Sequence, residues 1–410
     1  MASAGAGAKQ PARSIGSRFS GTSSLGKWWG FEMDFSLSEE QQLFRDAVAK
    51  FVQNEYSFEA RKKIVASPQG WGAEVWAQLA AMGLLGVPFA EADGGLGGSG
   101  VDLMVVMQEL GRGIVVEPYL ATVVLGGGAV ALVGSAAQRK ALLPGVIAGE
   151  RQLALAYGEP QSRHGLQDVT TTARRDGAGY VLTGKKAVVL NGATADTLVV
   201  SARTAGAQRD AQGISLFLVE RGAKGVTLTD YRTIDGLRAA DLVLDGVRVG
   251  ADAMLGPVDG GLAPLERAVD LGAAALCAEA VGVMEQLNAL TLEFLRTRQQ
   301  FGQPIGRFQA LQHRAVDMLV HAEQVKSIAC LAAARAQSAD AGERRRAVSA
   351  AKSLVGRSGR AVAKEATQLH GGMGVTLDLP AAHFAKRLTM IDVWLGDSDW
   401  HTERFAAVAA

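Results

Sequence analysis

The chain has little of what disulfide-stapled, metal-bound or membrane-embedded proteins need. Among 410 residues there are two cysteines, Cys277 and Cys330. Two cannot build a disulfide framework, and both fall in helix-like apolar surroundings, where they read as reduced core thiols in a reducing compartment. Six scattered histidines form no Cys/His cluster, so no metal site is expected. No stretch reaches about 18 uninterrupted apolar residues, so no membrane span is expected. An excess of one charge is missing too. Lys+Arg is 42 and Asp+Glu is 41, a formal net charge of +1, which argues against nucleic acid as the main partner. Apolar residues are plentiful, 48% against 20% charged. That excludes a disordered chain and can fill the cores of a protein of several domains.

Residues 1–33 stand apart as an extension or targeting segment. They are rich in Gly, Ala and Ser, carry Lys9, Arg13, Arg18 and Lys27, and have no acid before Glu32. That composition is disorder-like and also fits a transit peptide. The plainer reading is a start-site extension, because Met33 precedes folded-looking sequence. A cytoplasmic location follows, or the mitochondrial matrix if residues 1–32 are a transit peptide.

From residue 34 to 150 the texture is helical. Ser38 followed by Gln41 is a capping-box signature, and Phe44, Val48, Phe51 and Val52 form one amphipathic face. Val75, Leu79, Met82 and Leu85 predict a second helix, Leu103, Val106, Met107 and Leu110 a third, and residues 121–147 more. Residues 151–257 alternate apolar and polar in short β-branched runs at Gly179–Lys185, Thr197–Ser201, Ile214–Val219 and Leu242–Val249, which predicts an antiparallel sheet or small barrel. Residues 258–410 return to helix over 264–298, 309–337 and 343–370, and the run Arg344–Arg346 reads as a solvated helix face. The fold class is therefore α+β: a helical domain, a middle β domain and a second helical domain.

Two glycine motifs invite a nucleotide reading and fail. Gly95-Leu-Gly97-Gly-Ser-Gly100 matches G-x-G-x-x-G but lacks the preceding strand and the βαβ unit, so a glycine-rich connector is expected. Gly179-x4-Gly184-Lys185-Lys186 puts Lys186 where a P-loop needs a hydroxyl, and its glycines lie inside an alternating strand. There is no G-x-S-x-G elbow and no H-E-x-x-H.

Two stretches near the C-terminus resist a purely structural reading. In Arg298-Gln-Gln-Phe301-Gly302-Gln-Pro-Ile305-Gly306-Arg-Phe308-Gln309, an arginine ends a helix and an aromatic with two glycines opens a loop. A planar cation beside free loop amides suits a phosphate. In Gln368-Leu-His-Gly371-Gly372-Met-Gly374, bare backbone lets a ligand approach closely. Taken alone, each is equally readable as a helix C-cap and turn.

Together these residues resemble the acyl-CoA dehydrogenase family. The resemblance spans nearly all of residues 34–410, including Leu110–Leu120, Glu159-Pro160 and the two C-terminal motifs. It implies a four-helix-bundle C-terminal domain, FAD, a tetramer of paired dimers, an acyl-CoA substrate, electron-transfer flavoprotein as acceptor, and α,β-dehydrogenation of a thioester. A carboxylate removes the α-proton while the β-hydride passes to the flavin. The resemblance assigns Arg298, Phe301, Gln309, Gln368, Gly371 and Gly372 to the flavin's nucleotide tail.

The departures are as informative. The family base is a glutamate before a glycine near the C-terminus; here Leu395 precedes Gly396. The alternative base position, on the helix leading to Arg298, falls at Gly272, with Glu266 nearly two turns away. A positioned base contributes about 10²–10⁴-fold. Asp397 is the nearest substitute, with a solvated or capping role as the plain alternative. The hydroxyls that flank Glu-Pro in the family are Gly158 and His164 here, and the Trp-x-Thr strand reads Val188-Val189-Leu190. What is kept is the set that one subunit supplies to its neighbour's flavin. The leading expectation is one subunit of a heteromer, most similar in its tail to the small subunits of pimeloyl-CoA-type dehydrogenases, completing the FAD site of a paralogous partner in a heterotetramer. The alternatives are a self-sufficient homotetramer using Asp397, and a structural or interaction homologue with no redox role.

Overall fold

The computed structural model describes residues 37–409, so the expectation for residues 1–33 lies outside the described residues. Helix α1 (Glu39–Glu55) starts at the Ser38/Gln41 capping box, and Val48, Phe51 and Val52 are buried along its inner face. It is followed by α2 (Phe58–Ala66), α3 (Ala73–Ala81) and α4 (Gly100–Arg112). Met82 and Leu85 fall beyond α3, which ends at Ala81 ahead of the left-handed Gly83. The segment Tyr119–Gly127 coils as a wide π-type turn with every residue buried. Helices α5 (Gly128–Val133) and α6 (Ala136–Ile147) complete this part.

The middle part is one sheet of β1 (Leu153–Ala156), β2 (Thr172–Asp176), β3 (Gly179–Leu190), β4 (Thr197–Arg203), β5 (Ile214–Glu220), β6 (Val226–Arg232), β7 (Arg238–Val249) and β8 (Met254–Leu255), ordered β6-β7-β3-β2-β4-β5-β8. It is antiparallel except that β1, and Thr172 of β2, run parallel to β4. β1 gives no alternation signal because all four of its residues are buried.

Four long helices follow: α7 (Leu262–Thr297), α8 (Gln309–Arg335), α9 (Ala341–Leu369) and α10 (Pro380–Val393), which begins on a proline at its first turn. Their mutual packing makes the bundle, and α11 (Ser398–Ala409) lies on α9. The reading of Arg344–Arg346 as a solvated face is corrected. Arg344 is buried and paired with Asp270 at 3.0 Å, and Arg345 is paired with Glu266. Only Arg346 is exposed, because Arg344 shares the inward face of α9 with Val348 and Val355.

The glycine motifs have structural explanations. A Cβ at Gly100 would stand 2.2 Å from Ala333 O, so that glycine admits a neighbouring helix backbone. Lys186 is buried in β3, where its Nζ donates to Glu159 Oε1 (2.7 Å), Ser201 Oγ (3.0 Å) and Tyr157 O (3.3 Å). Burial would raise the Glu159 carboxyl, yet the Lys186 charge and donors from Lys186, Thr170 and Gln161 hold it at about 2. Burial pushes Lys186 down to about 8, against the pull of Glu159. Cys277 is buried and its thiol is pushed up to about 12, which makes it inert near neutral pH.

Lys186→Met would leave Glu159 as an unpaired buried charge. It should lower stability by about 3–5 kcal/mol in denaturant titrations, and adding Glu159→Leu should recover much of that loss. In the native protein the depressed carboxyl contributes stability present above about pH 4.3 and lost as pH falls toward about 2. Lys186→Met should erase that acid-sensitive component.

Candidate functional site

The C-terminal bundle gathers the predicted residues at its two opposite ends. At one end, α7 stops at Thr297 and Arg298 caps it in extended backbone. A tight hairpin follows, with Gln299-Gln300 paired to Gln303-Pro304. Its two turn residues, Phe301 and Gly302, have φ of 53° and 76°. A phenylalanine in the left-handed region is uncommon, and this one is 91% exposed, its ring edge-on to Phe308 at 6.0 Å between ring centres. Gln309 opens α8 at the same end.

Helix α9 finishes there as well. Gln368 lies in its last turn, and a short 3₁₀ turn begins with Gly371 (φ 59°) and Gly372, at either of which an added Cβ would meet nothing within 4 Å. The two motifs are tied by Phe294 of α7 and His370, whose rings are 4.5 Å apart and inclined at 31°. His370 Nδ1–H donates to Ala366 O at 2.8 Å, which fixes the ring. Among the described residues the exposed side chains of Arg298, Gln309 and Gln368 have no hydrogen-bond or ion-pair partner. A cation, two amides and a bare glycine loop thus face outward together.

The other end carries the base positions. A Cβ on Gly272 would stand 2.6 Å from Leu125 Cδ2 and 2.8 Å from Leu395 Cδ1. The two places where the resemblance puts a glutamate therefore adjoin, and aliphatic side chains fill the space between them. Leu395 is buried in a strained turn, at φ 57°. The turn is held from beneath. Lys352 Nζ donates to Gly396 O (2.6 Å) and Asp392 O (2.9 Å), and His401 Nε2–H donates to Leu395 O (3.0 Å). Burial pushes the His401 imidazole down to about 2 and Lys352 down to about 8. His401 is therefore neutral and accepts from Ser349 Oγ. Sequence reading missed both residues; a lysine among small residues in α9 was the available signal.

Asp397 lies in this turn as the cap of α11. Its Oδ1 accepts Trp400 N–H at 2.8 Å, and its Oδ2 is 3.4 Å from His164 Nε2. Burial works upward on its carboxyl, but the Trp400 amide and His164 hold it below the ordinary aspartate value. A base works best with a pKa near the operating pH, so this arrangement makes a weak one. Val188 stands half-exposed at φ 56° in a bulge of β3, its N–H donating to Asp241 Oδ1, and Leu190 is buried. Neither offers an aromatic face or a hydroxyl.

Gly272 and Arg298 are 26 residues apart on α7, which is about 39 Å at 1.5 Å per residue. The exposed Arg298, Gln309, Gln368 and Gly371–Gly372 set and the base positions therefore lie at separate places on one chain. The residues present fit the nucleotide tail of FAD and do not fit its ring.

A three-part helix–sheet–helix chain of this kind belongs to a known class. The acyl-CoA dehydrogenase N-terminal domain model matches residues 38–150, the middle domain model 154–247 and the C-terminal domain model 259–410. The chain is 30% identical over 369 residues to the mitochondrial long-chain specific acyl-CoA dehydrogenase of Sus scrofa, covering 84% of this chain and 81% of that protein. It is 29% identical to the mitochondrial isovaleryl-CoA dehydrogenase of Solanum tuberosum, covering 90% of each. Among solved structures it resembles the ChsE4-ChsE5 complex from Mycobacterium tuberculosis, with a TM-score of 0.82, 29% identity and coverage of 92% of this chain and 98% of that one. It also resembles the Tcur3481-Tcur3483 steroid ACAD, with a TM-score of 0.81, 31% identity and coverage of 91% and 98%. This chain belongs to the acyl-CoA dehydrogenase family, FAD-dependent oxidoreductases that act on the CH–CH bond of acyl-CoA. Among the described residues no helix is long and apolar enough to cross a membrane.

Gly272→Ala should cost about 1–3 kcal/mol by overpacking. In a Leu395→Ala background that cost should shrink by at least about 0.5 kcal/mol, because the two sites share one space. Strict additivity in denaturant titrations would contradict the contact.

Proposed function

We propose that this chain is the non-catalytic subunit of a heteromeric acyl-CoA dehydrogenase, and that it grips the nucleotide tail of an FAD whose ring lies in a paralogous partner. The observation that carries this is the aliphatic filling of both base positions, Leu395 and Leu125 crowding Gly272, in a chain that keeps Arg298 and the Gly371–Gly372 loop exposed. Bound FAD supplies the hydride acceptor. The Arg298 guanidinium makes charge-assisted hydrogen bonds to phosphate oxygens. Gly371 and Gly372 let backbone approach closely, Gln309 and Gln368 offer amides, and Phe301 covers an apolar face. Leu395 holds no proton, so the partner supplies the carboxylate that takes the α-proton. The ChsE4-ChsE5 complex, a similar solved structure, supports a two-chain reading. Electron-transfer flavoprotein is the onward acceptor, and the complex works in the cytoplasm, or in the mitochondrial matrix if residues 1–32 direct it there.

One observation favours a second reading, a homotetramer using Asp397. His164 and Asp397 pair at 3.4 Å at the same end as Leu395. The carboxyl's depressed pKa and its capping duty weigh against it.

Co-expression with a paralogous chain that keeps the glutamate separates the readings. The complex should turn over and the isolated chain should not. Arg298→Ala in this chain should weaken flavin retention by the complex about 10–150-fold, the worth of a hydrogen bond to a charged group, while Asp397→Asn leaves turnover intact. Turnover by the isolated chain that Asp397→Asn abolishes would establish the second reading. Complexes that never carry flavin would leave the chain a structural homologue.

A further inference from the structure

Helix α8 carries two apolar faces, and the fold covers one of them. Met318, Ala322, Val325 and Ala329 are buried. Val316, Leu319 and Val320, at i, i+3 and i+4, form a second face that stays 48–55% exposed. Leu292 of α7, 41% exposed, joins Val316 and Leu319 along a groove of about 290 Å³ that also has Leu295 and Gly306 in its walls. Single exposed aliphatics are ordinary, but several along one groove mark a contact surface.

A second groove, of about 680 Å³, runs between α8 and α9, lined among others by Val320, Arg314, Asp317, Arg357, Arg360 and Lys364. Two of its cations are already used. Arg314 pairs with Glu365, and Arg360 binds Asp392 and Ser398 at 2.9 Å each. Among the described residues the exposed side chains of Arg357 and Lys364 have no ion-pair or hydrogen-bond partner. They are seven residues apart, so they stand on one stripe of α9 at about 10 Å. Asp317 is the groove's one carboxylate without an ion pair among the described residues, so cations are in excess.

Both grooves lead to the exposed flavin-tail set. Gly306 lies in the loop that Arg298 opens, and Gln368 follows Lys364 by one turn of α9. We propose that the outer face of α8 is the docking surface for the paralogous chain that holds the flavin ring, and that the partner meets it with an aliphatic strip bordered by carboxylates. Val316, Leu319 and Leu292 supply the buried centre of the contact, and Arg357 and Lys364 its charged rim. A second copy would bring the same excess of cations to the face, so the rim favours an acidic partner over self-pairing. This inference deepens the functional reading above and rests on it, since it names the surface and the chemistry by which the partner is held.

Sedimentation velocity on the co-expressed pair, with FAD in excess, tests it. Leu319→Glu puts a charge into the aliphatic centre and should weaken pairing at least about 100-fold, the effect of an uncompensated buried charge. Arg357→Glu combined with Lys364→Glu should weaken it about tenfold, and should abolish the loss of affinity that the native pair shows between about 0.05 and 0.5 M salt. Native affinity in either variant would overturn the surface and leave the pair, and with it the functional reading, standing. A native chain that never pairs would overturn both. A homodimer of the isolated chain that Leu319→Glu dissolves would give the face to a second copy and overturn the choice of partner. Should Leu319→Glu fail to fold, as its melting curve would report, the reversal of Arg357 and Lys364 decides.

Discussion

A continuous helix of 36 residues cannot bring both its ends to one small ligand. Helix α7 imposes that constraint. It is buried along much of its length and packed by α4, α8, α9 and α10, so it behaves as a fixed spacer of about 39 Å between Gly272 and Arg298. A group held by Arg298 and the Gly371–Gly372 loop therefore lies far from Leu395 of the same chain. The fold keeps the Arg298 and Gly371–Gly372 surface apart from Gly272 and Leu395 of the same chain, so substitution at one need not disturb the other.

The spacer keeps its setting because the three parts of the chain are clamped by buried charge. Arg387 of α10 binds Glu279 of α7 and Asp235 of the turn between β6 and β7, and Arg61 of α2 donates to Asp235 O and Ile114 O at 2.7 Å each. Two cations face two anions with little exposure. Burial works against the Arg387 charge, and Glu279 and Asp235 more than offset it, raising its pKa. Such a cluster is costly to form and more costly to break, which makes it a device for fixing geometry. Beneath Leu395, Lys352 and neutral His401 hold carbonyls of a strained turn, so the aliphatic plug is as firmly placed as a base would be.

Much of this was legible in the sequence, where local chemistry dictates local structure. The Ser38 cap, the long C-terminal helices and the strands with clear alternation follow from periodicity and capping alone. β1 escaped because Leu-Ala-Leu-Ala holds no polar residue to alternate with, and α2 because its one buried residue is Arg61. Arg344 misled for a related reason: a basic run looks solvated until a partner such as Asp270 comes in from 74 residues away. In the site, Leu395 and Gly272 were each visible as substitutions, but only the folded chain puts them in contact. The Phe294–His370 stack and the Lys352 support have no linear signature, since each depends on which residues the fold makes neighbours.

The central claim concerns where one flavin sits, so flavin counted per polypeptide in native mass spectra of the co-purified pair tests it most directly. One FAD for each pair of unlike chains, with none retained by this chain alone, is the outcome expected of a half-site. One FAD per chain, retained by the isolated protein, would contradict it.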